Sequence, residues 1–201
     1  MQNDIIRYSL ILMLITSISV AILAYLNQKT QPLINLQKQK ETRDAVMEVL
    51  PAGSKIIEEI IGTSGQPGYF IGYSDESRQI INGYAILCKG KGYSSDSIQT
   101  LVGTDTSFTI TGTKVIFQKE TPGLGDKIGL SGKYGGKKQI WTHQFTSLAA
   151  DRIRLNKDHP GQPGAIEALT GATISSRAVT SSIITGLNQL KIQVDKRRNS
   201  L

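Results

Sequence analysis

The sequence predicts an α+β domain, with a mixed or antiparallel sheet and packed helices, carried on an N-terminal transmembrane helix. Three observations predict it. A long uncharged apolar run stands near the N-terminus, β-rich runs broken by glycine and polar turns fill the middle, and a helical apolar stripe closes the chain. The length of 201 residues allows one ordinary domain plus an appendage, since a domain takes roughly 100–200 residues. With 39% hydrophobic and 19% charged residues the chain can build a core and is no disordered polyelectrolyte. Cys88 is the single cysteine, which excludes an internal disulfide framework and a cysteine-based metal cluster. No cysteine stands near His143 or His159, so no metal site is expected. The formal charge of +7 admits nucleic acid, anionic lipid or a phosphate-bearing ligand, and composition alone does not choose among them.

The apolar run comes first. No residue between Arg7 and Lys29 is charged, and residues 10–26 read LILMLITSISVAILAYL. A helix needs about 20 residues to cross a hydrocarbon core of roughly 30 Å, and residues 8–28 have that length. Tyr8 and Tyr25 lie near its ends, at headgroup level. A cleaved secretory signal is the competing reading. The run is long for a signal core, and Ile22 two positions before Ala24 spoils an A-x-A cleavage site. With no cysteine directly after it, a lipoprotein anchor is excluded. Arg7 and the amino terminus offset Asp4 on one side, while Lys29, Lys38 and Lys40 follow on the other, so charge counting leaves the orientation open.

Residues 29–53 then read as an amphipathic stalk helix, with Leu33, Leu36, Val46, Val49 and Leu50 apolar among charges and Pro51-Ala52-Gly53 as the stop. Short strands are expected at KIIEEII, GYFIGY, QIINGYAILCKG, IQTLVG and FTITGTKVIF. A helical turn or two follows Trp141. The last long helix spans about Ile174 to Val194, with Val179, Ile183, Leu187 and Leu190 forming the stripe that packs on the sheet. The segments are therefore a tail at 1–7, a transmembrane helix at 8–28, a stalk at 29–53, the domain at 54–194 and a solvated charged tail at 195–201. Cys88, in an apolar strand pattern, reads as a small buried hydrophobe.

Two segments can carry chemistry. Thr170-Gly171-Ala172-Thr173, followed by Ile174, Ser175, Ser176 and Arg177, opens the last helix. A helix N-terminus presents unpaired N–H groups and a partial positive charge, which suits a phosphate. Small residues there let a bulky group approach, and Arg177 lies one turn further in. The competing reading is a plain N-cap, for which Ser and Thr are favoured. The second segment is Glu120-Thr121-Pro122-Gly123-Leu124-Gly125-Asp126, a proline–glycine turn after a strand. Neither shows G-x-G-x-x-G spacing or a Walker lysine, so no dinucleotide or NTP fold is indicated.

The anchor, ETPGLG, Trp141 with Phe145, and TGATISS before a C-terminal helix, in that order, resemble the FMN-binding domain family. Within it, the chain is most similar to the G-subunit branch of the Rnf (Rsx) ion-translocating electron transport complexes. The C-subunit branch of the sodium-pumping NADH:quinone oxidoreductases is more distant. The resemblance implies FMN joined by a phosphoester to Thr173, the last residue of the S/T-G-A-T motif, by a separate flavin transferase that uses FAD. It makes Thr170, Gly171, Ala172, Ser175, Ser176 and Arg177 cofactor-binding candidates, with Glu120, Thr121, Pro122, Gly123, Leu124 and Gly125 lying against the flavin. Two positions depart from the family pattern: Glu167 stands where an aspartate is usual, and Ser175 where a threonine is.

The resemblance further implies a redox subunit of a membrane translocase, incomplete as an enzyme alone, with other members of the complex as partners and no nucleic acid. The N-terminus would be cytoplasmic and the flavin domain on the extracytoplasmic side. Lys127, Lys133, Lys137 and Lys138 form a basic stretch that suits an anionic flavin or an acidic partner, or is a solvated turn. Trp141 and Phe145 suit either flavin stacking or the core. The readings left standing are an Rnf-type carrier, a stand-alone anchored FMN carrier serving another reductase, and a non-redox anchored assembly domain.

Overall fold

The computed structural model describes residues 2–62, 67–134, 136–158, 160–162 and 165–199, with side chains for all of these but 2–4 and 137. His159 lies outside the described residues. The chain divides into two compact units, Met1–Arg43 and Asp44–Leu201.

The first unit is helical throughout its described length, as part of α1 (Gln2–Val49). Every described side chain from residue 5 to residue 41 is exposed, and the helix is long and apolar enough to cross a membrane. The sequence reading places a separate stalk helix at residues 29–53. The structure instead carries one helix through Pro32, at the loss of one backbone donor. Strong helix formers on both sides, Leu23, Ala24 and Leu26 before it and Leu33, Leu36, Gln37, Lys38 and Glu41 after it, sustain it.

The second unit is built on a five-stranded antiparallel meander, β1 (Ile56–Ile60), β2 (Tyr69–Tyr73), β3 (Ile81–Lys91), β4 (Ser97–Asp105) and β5 (Ile110–Phe117), in that spatial order. All five fall on the predicted runs. Side chains alternate across the sheet. Ala85 and Leu101 face the last turn of α1 (Ala45, Val46, Val49) and Leu50, while Ile86, Cys88, Ile98 and Val102 face the opposite layer. That period of two is what buries both faces. Gly103 and Gly112 oppose each other across β4 and β5, and a Cβ at Gly112 would come within 2.9 Å of the Val49 Cα. The helix end can sit on the sheet only because side chains are missing there. Thr111 secures it by donating to the Val49 carbonyl at 2.7 Å.

The other face is covered by α2 (Thr173–Arg198), whose buried stripe of Val179, Ile183, Leu187, Leu190 and Val194 matches the predicted periodicity. Between β5 and α2 run a 3₁₀ turn at Gly125–Gly129, the hairpin β6 (Ser131–Tyr134) and β7 (Lys137–Ile140), a 3₁₀ turn at Trp141–Phe145, and a short parallel pair, β8 (Arg154–Leu155) with β9 (Ala165–Ile166). The main sheet is thus wholly antiparallel, and among the described residues parallel pairing is confined to β8 and β9.

The end of the chain differs from expectation. Instead of stopping at Val194 before a solvated tail, α2 continues to Arg198. The guanidinium of Arg197 reaches Glu58 of β1 at 3.4 Å, and Tyr73 donates to the other Glu58 oxygen at 2.6 Å. These long-range partners hold the last turn, which local charge density alone would leave frayed.

Candidate functional site

Near the start of α2 lies a cleft of about 470 Å³, lined by Tyr93, Glu120, Thr121, Leu124, Gly125, Lys157, Gly171, Ala172, Thr173, Ile174 and Ser175. It brings together the two segments singled out by sequence. Of the predicted residues, Glu120, Thr121, Leu124, Gly125, Gly171, Ala172, Thr173 and Ser175 line it. Pro122, Gly123 and Thr170 are exposed outside its lining, Arg177 is exposed on the first turns of the helix, and Ser176 is buried beneath it.

The TGAT segment turns sharply into the helix. Gly171 has φ +78°, in the left-handed region that favours glycine. The N-cap position falls on Ala172, with no side-chain capping bond. That bears directly on the N-cap reading of the motif: among the described residues, the cap position is an alanine and makes no side-chain bond to the first amides. With the helix dipole behind them, those amides suit an anion. Ser176, the hydroxyl one turn on, serves the loop instead. It accepts the Leu169 amide at 3.0 Å and donates to the Ala172 carbonyl at 3.0 Å.

Thr173 is half-buried at the lip. The ammonium of Lys157 donates to its Oγ1 at 3.1 Å. Arg177, expected to reach an anion, is instead engaged by Asp158 through two bonds of 2.6 and 3.1 Å, and that carboxylate holds the guanidinium's pKa above its ordinary value. Neighbouring residues of one loop, Lys157 and Asp158, therefore clasp the first turns of α2. Nothing in the local pattern of that loop announces either contact, and sequence reasoning missed both.

Glu120 is buried at 4% exposure. Its carboxylate accepts the Ser175 hydroxyl and the backbone amides of Ser94 at 3.1 Å and Tyr93 at 3.2 Å. Burial works to raise its pKa, but these donors outweigh it and hold the carboxyl below its ordinary value. Tyr93, Leu124 and Ile174 form an exposed apolar rim, at 73%, 43% and 53% exposure.

Trp141 and Phe145 are core. Both are fully buried and meet edge to face with ring centres 5.5 Å apart. Trp141 still serves the site, since its indole N–H donates to the Glu167 carbonyl at 2.6 Å and fixes the approach to TGAT. Lys127, Lys133 and Lys138 are exposed on the 3₁₀ turn and the β6–β7 hairpin. His143 is exposed on the turn after β7. Cys88 is buried, which pushes its thiol up to about 12 and leaves it inert. Among the described residues no group of three or more His, Cys, Asp or Glu could hold a metal.

Residues 92–188 match the family described as the FMN-binding domain, a span that contains both cleft motifs. The chain is 28% identical over 197 residues to the G subunit of the ion-translocating oxidoreductase complex of Methanosarcina acetivorans, covering 96% of this chain and 97% of that one. It is 29% identical over 191 residues to the G subunit of the Na(+)-translocating ferredoxin:NAD(+) oxidoreductase complex of Acetobacterium woodii, covering 89% and 88%. Among solved structures it is similar to the crystal structure of Shewanella oneidensis NqrC, at 20% identity over 73% of each chain and a TM-score of 0.45.

Proposed function

We propose, from the match of residues 92–188 to the FMN-binding domain family, that the chain is the anchored flavoprotein subunit of an Rnf-type ion-translocating oxidoreductase, carrying FMN as a phosphoester on Thr173. The observation that carries this reading is the meeting of ETPGLG and TGAT at one cleft, where an uncapped helix N-terminus, the Thr173 hydroxyl and the Lys157 ammonium converge. The relatives in Methanosarcina and Acetobacterium, matched over 97% and 88% of their length, are G subunits of ion-translocating oxidoreductase complexes.

The residues present fit the group. A phosphate needs amide donors, a cation and small neighbours, and the first turn of α2, Lys157, Gly171 and Ala172 supply them. A flat ring needs apolar contact with one side left open, and Tyr93, Leu124 and Ile174 offer that at the rim. When bound, FMN supplies the redox chemistry, and the protein supplies position and electrostatics. The chain's own residues seat the phosphate, shield part of the ring and leave the remainder exposed for electron transfer to a neighbouring subunit. A separate flavin transferase makes the bond from FAD. Residues 8–28 hold the protein in the membrane, the N-terminus is cytoplasmic, and the domain at 54–194 stands on the extracytoplasmic side.

Membrane purification from the native host tests the reading. The chain should co-purify with further membrane subunits and keep its flavin colour through acid precipitation. Colour that washes out on denaturation would remove the covalent bond, and colour without partner subunits would leave a stand-alone carrier.

A further inference from the structure

Besides Lys157, three separate stretches of chain wall the cleft: the turn after β3 (Tyr93), the ETPGLG loop (Thr121, Leu124, Gly125) and the first turn of α2 (Thr173, Ser175). One side chain touches all three. The Glu120 carboxylate takes the amides of Tyr93 and Ser94 from the first, belongs itself to the second, and takes the Ser175 hydroxyl from the third, across a separation of 55 residues. The surroundings are shaped to admit it. A Cβ at Gly125 would come within 2.8 Å of both Glu120 and Ser175, and a Cβ at Gly92 within 2.8 Å of the Glu120 carboxyl carbon. The Glu120 amide is held in turn by the Gln118 side chain at 2.6 Å.

We infer that Glu120 is the positioning residue of the cleft: it ties the ring-side loop to the phosphate-side helix and fixes the distance between them, acting through Ser175 and the Tyr93–Ser94 amides. The inference rests on the proposed attachment of FMN to Thr173. A carboxylate is the side chain suited to the task, because all three partners donate and it only accepts. Glutamine has nearly the same shape but turns one oxygen into an NH₂ that must face a donor. Its effect is therefore a mispaired buried amide, with little change in volume. Being buried, the carboxylate meets the flavin indirectly, by setting where Thr121, Leu124 and Tyr93 stand.

The test uses the full chain in detergent, loaded by a flavin transferase with FAD, and compares wild type with Glu120→Gln and Ser175→Ala. Loading joins Thr173 Oγ1 to the phosphorus of the FMN half, breaks the pyrophosphate bond and releases AMP. The hydroxyl proton leaves to solvent, and nothing is oxidised or reduced. Intact mass reads the loading. Visible circular dichroism and the flavin midpoint potential read the ring environment, and far-ultraviolet dichroism with melting reads the fold.

Ser175→Ala removes one of the three ties. A folded Ser175→Ala chain, once loaded, should show an altered flavin dichroism band and a shifted midpoint. A folded Glu120→Gln chain should show a larger change in both, or load at least about tenfold more slowly, as expected for losing a charge-assisted bond. The two variants combined should be non-additive, since they share one bond. Loaded variants with wild-type dichroism, midpoint and loading rate would overturn the inference alone. A wild-type chain that takes no adduct would overturn the reading beneath it, and this inference with it.

Discussion

Lys157 donates to Thr173 Oγ1 at 3.1 Å, across a loop that carries no local signal for folding back. An ammonium only donates, so the hydroxyl is the acceptor and its own proton stays available for removal. Ordering an exposed lysine against a neutral hydroxyl costs up to about 2 kcal/mol of side-chain entropy, for a bond that contributes little on a protein surface. The contact makes better sense as a seat for the phosphate of the proposed FMN.

Replacing Lys157 with glutamine should therefore slow flavin loading by about tenfold while leaving melting nearly unchanged, because a charged donor is removed from an exposed position. Lys157→Arg should recover most of the rate. Time courses of intact mass after adding transferase and FAD measure this. Equal rates in wild type and Lys157→Gln would assign the contact to the resting fold alone.

Gly123 sits at φ +77° in the ETPGLG loop, and a Cβ there would meet nothing within 4 Å. A valine would suffer from backbone strain and not from collision. Forcing a β-branched residue into that region costs about 1–2 kcal/mol. Gly123→Val should lower stability by that amount, rearrange the loop and shift the flavin absorption or potential, with the adduct still present by mass. An unchanged spectrum and potential would place the loop away from the ring.

The Glu58–Tyr73–Arg197 cluster predicts a pH dependence at both extremes. The Tyr73 hydroxyl, then Arg197, outweigh burial to lower the Glu58 pKa. Its contribution is whole above the ordinary carboxyl value of 4.5 and is lost as pH falls through the depressed one. Burial, then Glu58, raises Tyr73 from 10.0 to about 12. That contribution is whole below 10.0 and is lost as pH rises through about 12. Chemical denaturation across the pH range should show Tyr73→Phe with weaker dependence at both ends. Parallel curves for wild type and variant would contradict the assignment.

Topology is decided by fusions after Leu201. Alkaline phosphatase should be active there, and a fluorescent protein that matures only in the cytoplasm should stay dark. The three lysines beyond the apolar run give no outward bias, but a domain of this size translocates largely regardless of its own charges. The reverse pattern would put the flavin domain inside.

Much of the fold was legible because it rests on local periodicity. Ala85, Ile86, Leu87 and Cys88 alternate between the two cores, and Val179, Ile183, Leu187 and Leu190 repeat at helical spacing, so β3 and α2 could be read directly. The division into a transmembrane helix and a stalk misled, because the composition changes after Gln28 while the helical backbone runs on unbroken. The tail misled for a related reason: Lys196, Arg197 and Arg198 look solvated until Glu58 is folded against Arg197. At the site, the two motifs were visible as strings, but their partners were not. Which cation faces Thr173 is decided by Asp158, which occupies Arg177 and leaves Lys157 to the hydroxyl. Such pairings follow from tertiary contact and leave no period or spacing behind.

The most direct test of covalent FMN on Thr173 is a digest of the chain from its native membrane. Trypsin, cutting after Lys157 and Arg177, releases Asp158–Arg177 as one peptide that holds Thr170, Thr173, Ser175 and Ser176. Mass spectrometry should find that peptide heavier by one FMN phosphoryl group, with fragmentation placing the increment on Thr173, and should find it unmodified in Thr173→Ala. An unmodified wild-type peptide, or an increment on Thr170, Ser175 or Ser176, would contradict the account.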